Sequence, residues 1–168
     1  MTTRIRAIIG AALAGGLGLL VAVSPSAAQD KKPMPVPTAK LQAADKKPHH
    51  LILQVNTNEA GMMNLALNNA TNVAQYYQDL GEKVEIEVVT FGPGLHMLRD
   101  DTSPVKARIK AIAASTSAIS FKACGNTQAG MSKAENKDIA LIPEAAVVKS
   151  GVVRVMELQE KGWTYVRP

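Results

Sequence analysis

Short apolar, β-rich runs alternate with helical stretches along residues 49–168, and this alternation restricts the fold more than any other feature of the sequence. The first run, LILQV at 51–55, is nearly continuous, as in strands that are buried on both faces. Further strands are predicted at 84–91, 118–123 and 145–148, and residues 163–166 are compatible with a final one. Because strands that alternate with helices pair in parallel, we predict an α/β protein with a mostly parallel sheet and helices on both faces.

Helices are predicted between these strands. The residues expected to start them are 56–58 for the first, Ser103 and Pro104 for the second, and Asn126 or Thr127 for the third. The residues expected to face the sheet are Met63, Ala66, Leu67, Ala70, Val73, Ala74 and Tyr77 in the first helix, Val105, Ile109, Ile112 and Ala113 in the second, and Val152, Val155, Met156 and Leu158 in the last, at 151–161. Gly81 suits the end of the first helix, and Gly130 is expected to interrupt the third.

One strand carries an acidic pair. Glu85 and Glu87 alternate along the second strand and therefore share one face of it. Since carboxylates are seldom buried, we expect this face to be solvated or to lie near an edge of the sheet.

The N-terminal part has the features of a secretory signal followed by a linker. Residues 1–28 combine Arg4 and Arg6, an apolar stretch at 7–23, and small residues at 26–28 before a cleavage site. Residues 29–48 hold four prolines and five lysines, as in a solvated linker, so the folded domain is predicted at 49–168. We therefore expect a periplasmic protein without a membrane span after processing; the alternative is an uncleaved membrane anchor.

Charge distribution excludes one class of function. The net charge of +5 belongs to residues 1–48, because residues 49–168 hold twelve basic and twelve acidic side chains. A neutral domain with only six aromatic residues in the whole chain lacks the basic face and stacking rings of nucleic-acid-binding proteins. We expect no nucleic-acid partner.

Three short loops follow the first three strands, where open parallel sheets bind ligands. These are residues 56–58, 92–94 and 124–127, all polar or glycine-rich, and none matches a nucleotide-binding fingerprint. The residues predicted to line a substrate site are Asn58, Gly92, Gly94, Gly125, Asn126 and Thr127.

The single cysteine, Cys124, follows the third strand and directly precedes a predicted helix. Amides of the first helical turn would stabilise a thiolate there, and Lys122 should point to the same side of the strand. A thiolate is the nucleophile in sulfur transfer and disulfide exchange. The alternative is a cysteine that only fills space, since buried cysteines are common.

Other chemistry has little support in the sequence. The three histidines, His49, His50 and His96, do not have metal-ligand spacing, because adjacent strand residues face opposite ways. There is also no serine nucleophile elbow. We expect neither a metal site nor a cofactor.

The domain resembles the DsrE/DsrF-like sulfur-relay proteins, in particular their exported single-domain members. The segments that carry the resemblance are HLILQV (50–55), NLALNNA (64–70), VVTFGPG (88–94), CGNT (124–127) and GVVRVMELQEKGWTY (151–165). Together they cover residues 49–168. The resemblance implies a three-layer, flavodoxin- or Rossmann-like sandwich with about five strands, assembly into homotrimers or hexamers, and a cysteine at the position of Cys124 that carries sulfur as a persulfide.

Two hypotheses follow from the sequence. The first is a periplasmic sulfur carrier or thiol relay, sulfurtransferase-like in its chemistry, that exchanges sulfur through Cys124 with a thiol protein or a small sulfur species. With one thiol per chain, a dithiol oxidoreductase is excluded. The second is a non-catalytic oligomeric binding protein in which Cys124 is structural.

Overall fold

Five strands and four α-helices alternate in the computed structural model, which describes residues 47–168. The strands are β1 (His49–Val55), β2 (Val84–Thr90), β3 (Ile119–Cys124), β4 (Ala145–Val148) and β5 (Thr164–Val166). The helices are α1 (Ala60–Asp79), α2 (Lys106–Ser115), α3 (Gly125–Glu135) and α4 (Gly151–Glu160), with a 3₁₀ helix at Gly92–Leu98. The predicted signal sequence at 1–28 and nearly all of the predicted linker at 29–48 lie outside the described residues.

The strands form one parallel sheet in the order β4-β3-β2-β1-β5. From β1 to β4 the chain steps along the sheet in one direction, so right-handed crossovers leave α1, the 3₁₀ helix, α2 and α3 on the same face. The connection from β4 to β5 runs back across the sheet and leaves α4 on the opposite face. The predicted α/β fold with helices on both faces is therefore confirmed, as a three-layer structure.

Strand alternation divides the apolar residues between two cores. In β1, Leu51, Leu53 and Val55 join the larger core beneath α1 and α2, whereas Ile52 faces α4. The core on the α4 side consists of Ile52, Val89, Val155 and Leu158, with Phe91, Trp163 and Tyr165 packed against it. Within residues 47–168, α4 is thus the one helix on this face, where it packs against side chains of β1, β2 and β5.

The acidic face of β2 lies under a helix, which the sequence prediction did not anticipate. β2 is the central strand, and Glu87 is only 6% exposed, although Glu85 is exposed as expected. Arg154 of α4 donates to Glu87 from Nε at 2.9 Å and from Nη2 at 2.5 Å. These bonds are the main reason why the pKa of Arg154 is raised. A paired carboxylate can be buried where an isolated one cannot.

The same ion pair explains why the predicted inner face of α4 is wrong in part. Gly151 and Arg154 face the sheet with Val155 and Leu158, at the i, i+3, i+4 and i+7 spacing of one helix face. Val152 and Met156, which were expected to point inward, are exposed together with Val153.

Helix starts differ from their predictions by a few residues. Glu59 precedes α1 without a side-chain capping bond, so residues 56–58 do not cap it. α2 begins at Lys106: the Ser103 hydroxyl donates to the Met97 carbonyl at 2.5 Å and accepts from the Val105 N–H at 3.4 Å, within a turn that precedes the helix. α3 is capped by Cys124 itself and continues through Gly130.

Helix α1 is the longest helix of residues 47–168, and a glycine follows its C-cap residue. Gly81 follows the helix with φ +67°, which confirms its predicted place at the helix end. Although α1 has 20 residues, no helix within 47–168 has both the length and the apolar composition that a bilayer crossing requires.

Gly94 brings the 3₁₀ helix into direct contact with the end of β1. A Cβ at this position would lie 2.1 Å from the Val55 carbonyl oxygen and 2.8 Å from Cα of Asn56. Because both atoms belong to the backbone, this overlap can be relieved only if the backbone around Gly94 or at the end of β1 moves. In contrast, a Cβ at Gly130 in α3 would meet nothing within 4 Å.

We therefore expect opposite effects from the same substitution at these two glycines. Gly94→Ala should lower the free energy of unfolding by about 2–3 kcal/mol, because the new methyl group overlaps backbone. Gly130→Ala should raise it by about 0.5–1 kcal/mol, because alanine favours a helix interior. Chemical denaturation of both variants tests this, and a neutral Gly94→Ala would contradict the close contact.

Candidate functional site

Cys124 lies where the chain leaves two neighbouring strands towards opposite faces of the sheet. β3 continues into α3 on one face, and β4 continues into α4 on the other. Such a switch point leaves a crevice beyond the carboxyl ends of the strands, where open α/β sheets bind ligands. Cys124 is the last residue of β3 and the N-cap of α3, in the position expected from the sequence.

The first residues of both helices meet at the thiol. The backbone N–H of Thr127 donates to Sγ at 3.4 Å. Gly151, the first residue of α4, approaches so closely that a Cβ there would lie 3.2 Å from Cβ of Cys124 and 2.8 Å from Cδ1 of Phe91. Packed between these groups, Cys124 is 4% exposed.

The surroundings of the thiol favour its ionised form. Burial raises the pKa of Cys124, but hydrogen bonds from the Thr127 hydroxyl and from the backbone N–H groups of Gly151, Thr127 and Asn126 lower it, and the net shift is downward. Lys122, which alternation places on the same side of β3, is not among the groups that cause this shift. Directed donors in contact with sulfur therefore have more effect here than a flexible cation two residues away.

Four of the predicted site residues come together around Cys124. The Gly92 N–H donates to Thr127 Oγ1 at 3.0 Å, which ties the loop after β2 to the first turn of α3. Gly125 packs against the end of β4, since a Cβ there would lie 3.2 Å from Cγ1 of Val147. The Asn126 N–H donates to the Lys149 carbonyl at 3.2 Å.

Two predicted residues lie apart from this group. Asn58 is exposed in the loop after β1, and within residues 47–168 no hydrogen bond joins it to the segment 124–127. Gly94 is buried against Val55, where it serves packing. Sequence analysis missed Gly151, although the loop after β4 is also at a carboxyl end of the sheet; treating it like the other three loops would have identified this glycine.

Polar contacts hold α3 in place. None of its residues is fully buried, but Glu135 near its end accepts hydrogen bonds from Arg99 at 2.5 and 2.9 Å. Arg99 is 1% exposed and also binds Asp101. The hydrogen bond from Arg99 is the main cause that lowers the pKa of Glu135 to about 2. The helix that begins at the thiol is therefore anchored by charge.

A cavity of about 510 Å³ lies beside the first turns of α3 and α4, and the residues that line it do not include Cys124 itself. It is lined by Asn126, Val148, Lys149, Ser150, Val153, Arg154 and Glu157. A second pocket, of about 370 Å³, lies at the amino-terminal end of β1, beside His49, His50 and Tyr77. Within residues 47–168 there is no group of three or more His, Cys, Asp or Glu side chains placed to hold a metal ion.

Comparison with known proteins gives the fold and no activity. No protein-family profile matches the chain, and no curated protein matches it. Among solved structures, it is similar to a protein of unknown function, MTH1491, from Methanobacterium thermoautotrophicum. The two chains are 29% identical with a TM-score of 0.58, over 71% of this chain and 99% of the other. This similarity is consistent with the α/β fold described above.

We expect Thr127→Val to make the thiol less acidic. The substitution removes the hydroxyl group whose hydrogen bond lowers the pKa of Cys124, so the midpoint of the alkylation-rate profile should move to higher pH. Thr71→Val provides the control, because the Thr71 hydroxyl bonds within α1. An unchanged midpoint in Thr127→Val would show that this hydroxyl does not act on the thiol.

The ion pair between Arg99 and Glu135 predicts a specific loss of stability in acid. Since folding lowers the pKa of Glu135, its contribution is complete above the unfolded value of about 4.5 and disappears as the pH falls through about 2. The difference in unfolding free energy between the native protein and Glu135→Gln should therefore shrink over this range. Glu160→Gln is the matched loss of one exposed carboxylate, and a pH-independent difference for Glu135→Gln would contradict the assignment.

Proposed function

We propose that this protein is a periplasmic, DsrE-like sulfur carrier that holds sulfur as a persulfide on Cys124 and passes it to another thiol. The observation that carries the proposal is the thiol itself, whose pKa is lowered where α3 and α4 begin beside a ligand-sized crevice. A nucleophilic cysteine requires its thiolate form, and hydrogen-bond donors at helix starts stabilise that form. The resemblance of residues 49–168 to the sulfur-relay family supports the same chemistry.

Loading with sulfur follows from thiolate chemistry. The proton of Cys124 first passes to solvent. The thiolate then attacks a terminal sulfur of a polysulfide dianion, the adjacent S–S bond breaks, and a dianion shorter by one sulfur leaves. Cys124 becomes a perthiolate, and the charge is the same before and after the transfer. The transferred atom is sulfane sulfur both in the polysulfide and in the perthiolate. No further oxidant or reductant is therefore required.

Unloading needs a second molecule. An acceptor thiolate attacks the outer sulfur of the persulfide, and Sγ of Cys124 leaves as a thiolate. The chain has one cysteine, so this acceptor cannot come from the same chain. The proposal therefore includes a partner, either a thiol protein or a small thiol.

Two further parts of the proposal rest on the sequence and the resemblance. The features of residues 1–28 favour export, which would place the sulfur carrier in the periplasm. The resemblance favours a homotrimer or hexamer. Neither a metal nor a cofactor has a place in the proposed chemistry.

One observation favours a second candidate function. Cys124 is 4% exposed and packs against Gly151 and Phe91, as a structural cysteine would. In a non-catalytic oligomeric binding protein, the thiol would fill this space and the cavity beside it would hold a ligand. The two candidates differ in whether the thiol reacts while the protein is folded.

Intact-mass measurement after treatment with polysulfide separates the two functions. For the carrier we expect the folded protein to gain the mass of whole sulfur atoms, to lose it on reduction, and to gain none in Cys124→Ser. The matched variant replaces only the sulfur atom of the side chain, by oxygen. If the folded protein gains no sulfur and the thiol reacts only in denaturant, the carrier proposal is wrong and Cys124 is structural.

A further inference from the structure

The cavity beside Cys124 has an uneven distribution of charge. Lys149 is exposed two residues before Gly151, which contacts Cys124, and this end of the cavity is called the thiol end; no ion-pair partner for Lys149 exists among residues 47–168. Arg154 also lines the cavity, but its charge is balanced by Glu87. The acidic lining residue, Glu157, is six residues beyond Gly151 along α4, which corresponds to about 9 Å.

Two polar side chains at the same end are free to bind a ligand. Ser150 precedes α4 but makes no capping hydrogen bond with its side chain, which is unusual for serine at this position. Asn126 is exposed and uses its backbone N–H, not its side chain, to bind the Lys149 carbonyl. The thiol end of the cavity therefore combines a cation with a hydroxyl and an amide.

We propose that this cavity binds small anionic sulfur compounds and that Lys149 is the cation that draws them towards Cys124. The inference rests on the proposed sulfur-carrier function and specifies its donor as a low-molecular-mass anion, such as a polysulfide dianion. An unpaired ammonium group attracts a dianion, whereas Glu157 repels it from the opposite end of the cavity. A cavity of about 510 Å³ is large enough for such an anion together with water molecules of its hydration shell.

A pair of thiol reagents that differ mainly in charge tests the role of Lys149. The folded protein is treated with the dianionic disulfide dithiobis(nitrobenzoate) and, separately, with uncharged dithiodipyridine. Both form a mixed disulfide with Cys124 and release an aromatic thiolate. The readout is the rate constant for the dianionic reagent divided by that for the uncharged reagent. A change in the acidity of the thiol alters both rate constants alike and therefore cancels in this ratio.

Lys149→Gln is compared with Lys161→Gln, which removes the same charge at the far end of α4, about 15 Å from Gly151 and beyond the screening length at physiological salt. We expect Lys149→Gln to lower the ratio about three- to tenfold, and Lys161→Gln to leave it unchanged. Loading with polysulfide should slow by a similar factor in Lys149→Gln. The ratio of the native protein should also fall as salt is added.

The outcomes separate this inference from the proposed function. An equal ratio in Lys149→Gln and the native protein, with normal loading by polysulfide, overturns the role of Lys149 and leaves the carrier function in place. If neither reagent nor polysulfide reacts with the folded protein, the carrier function fails and this inference fails with it.

Discussion

The return of the chain from β4 to β5 is the constraint on which the rest of the structure depends. Once β1 to β4 have been laid down in order, the last strand can pair only at the free edge of β1 or beyond β4, and it pairs with β1. A right-handed connection over that distance must cross the opposite face of the sheet. This crossing places α4 on a face that no other helix of residues 47–168 covers, and it places the start of α4 directly beside the end of β3, where Cys124 lies.

The small apolar contact of α4 with the sheet also explains why a charged pair is buried on that face. α4 buries only Gly151, Val155 and Leu158, so apolar contact alone holds it to a small part of the sheet. The pair between Arg154 and Glu87 adds a directed contact in the middle of the helix. Such a pair contributes less to net stability than to position, because desolvation of the charges offsets much of their attraction. Position is what the site requires, since Gly151 must remain in contact with Cys124.

The sequence predicts most of the fold because its strands are marked by continuous or alternating apolar runs. The alternation of Leu51, Ile52 and Leu53 even corresponds to the division between the two cores. What it does not predict depends on contacts between distant segments. Burial of Glu87 depends on Arg154, which lies 67 residues away, and the orientation of α4 follows from that pairing. The candidate site divides in the same way: the position of Cys124 follows from its strand, whereas its contact with Gly151 follows only from the order of the strands.

The shallow attachment of α3 has a consequence for the protection of the thiol. Apart from the partly buried Met131, this helix contributes little to the core, and its main links are the charged contact between Arg99 and Glu135 and the bond between Gly92 and Thr127. Segments that bury little apolar surface open locally at a lower free energy than the whole domain. Detachment of α3 would uncover Sγ while the sheet and the larger core stay intact. Exposure of Cys124 would then depend on how often α3 opens, and not only on the 4% that is exposed when the helix is in place.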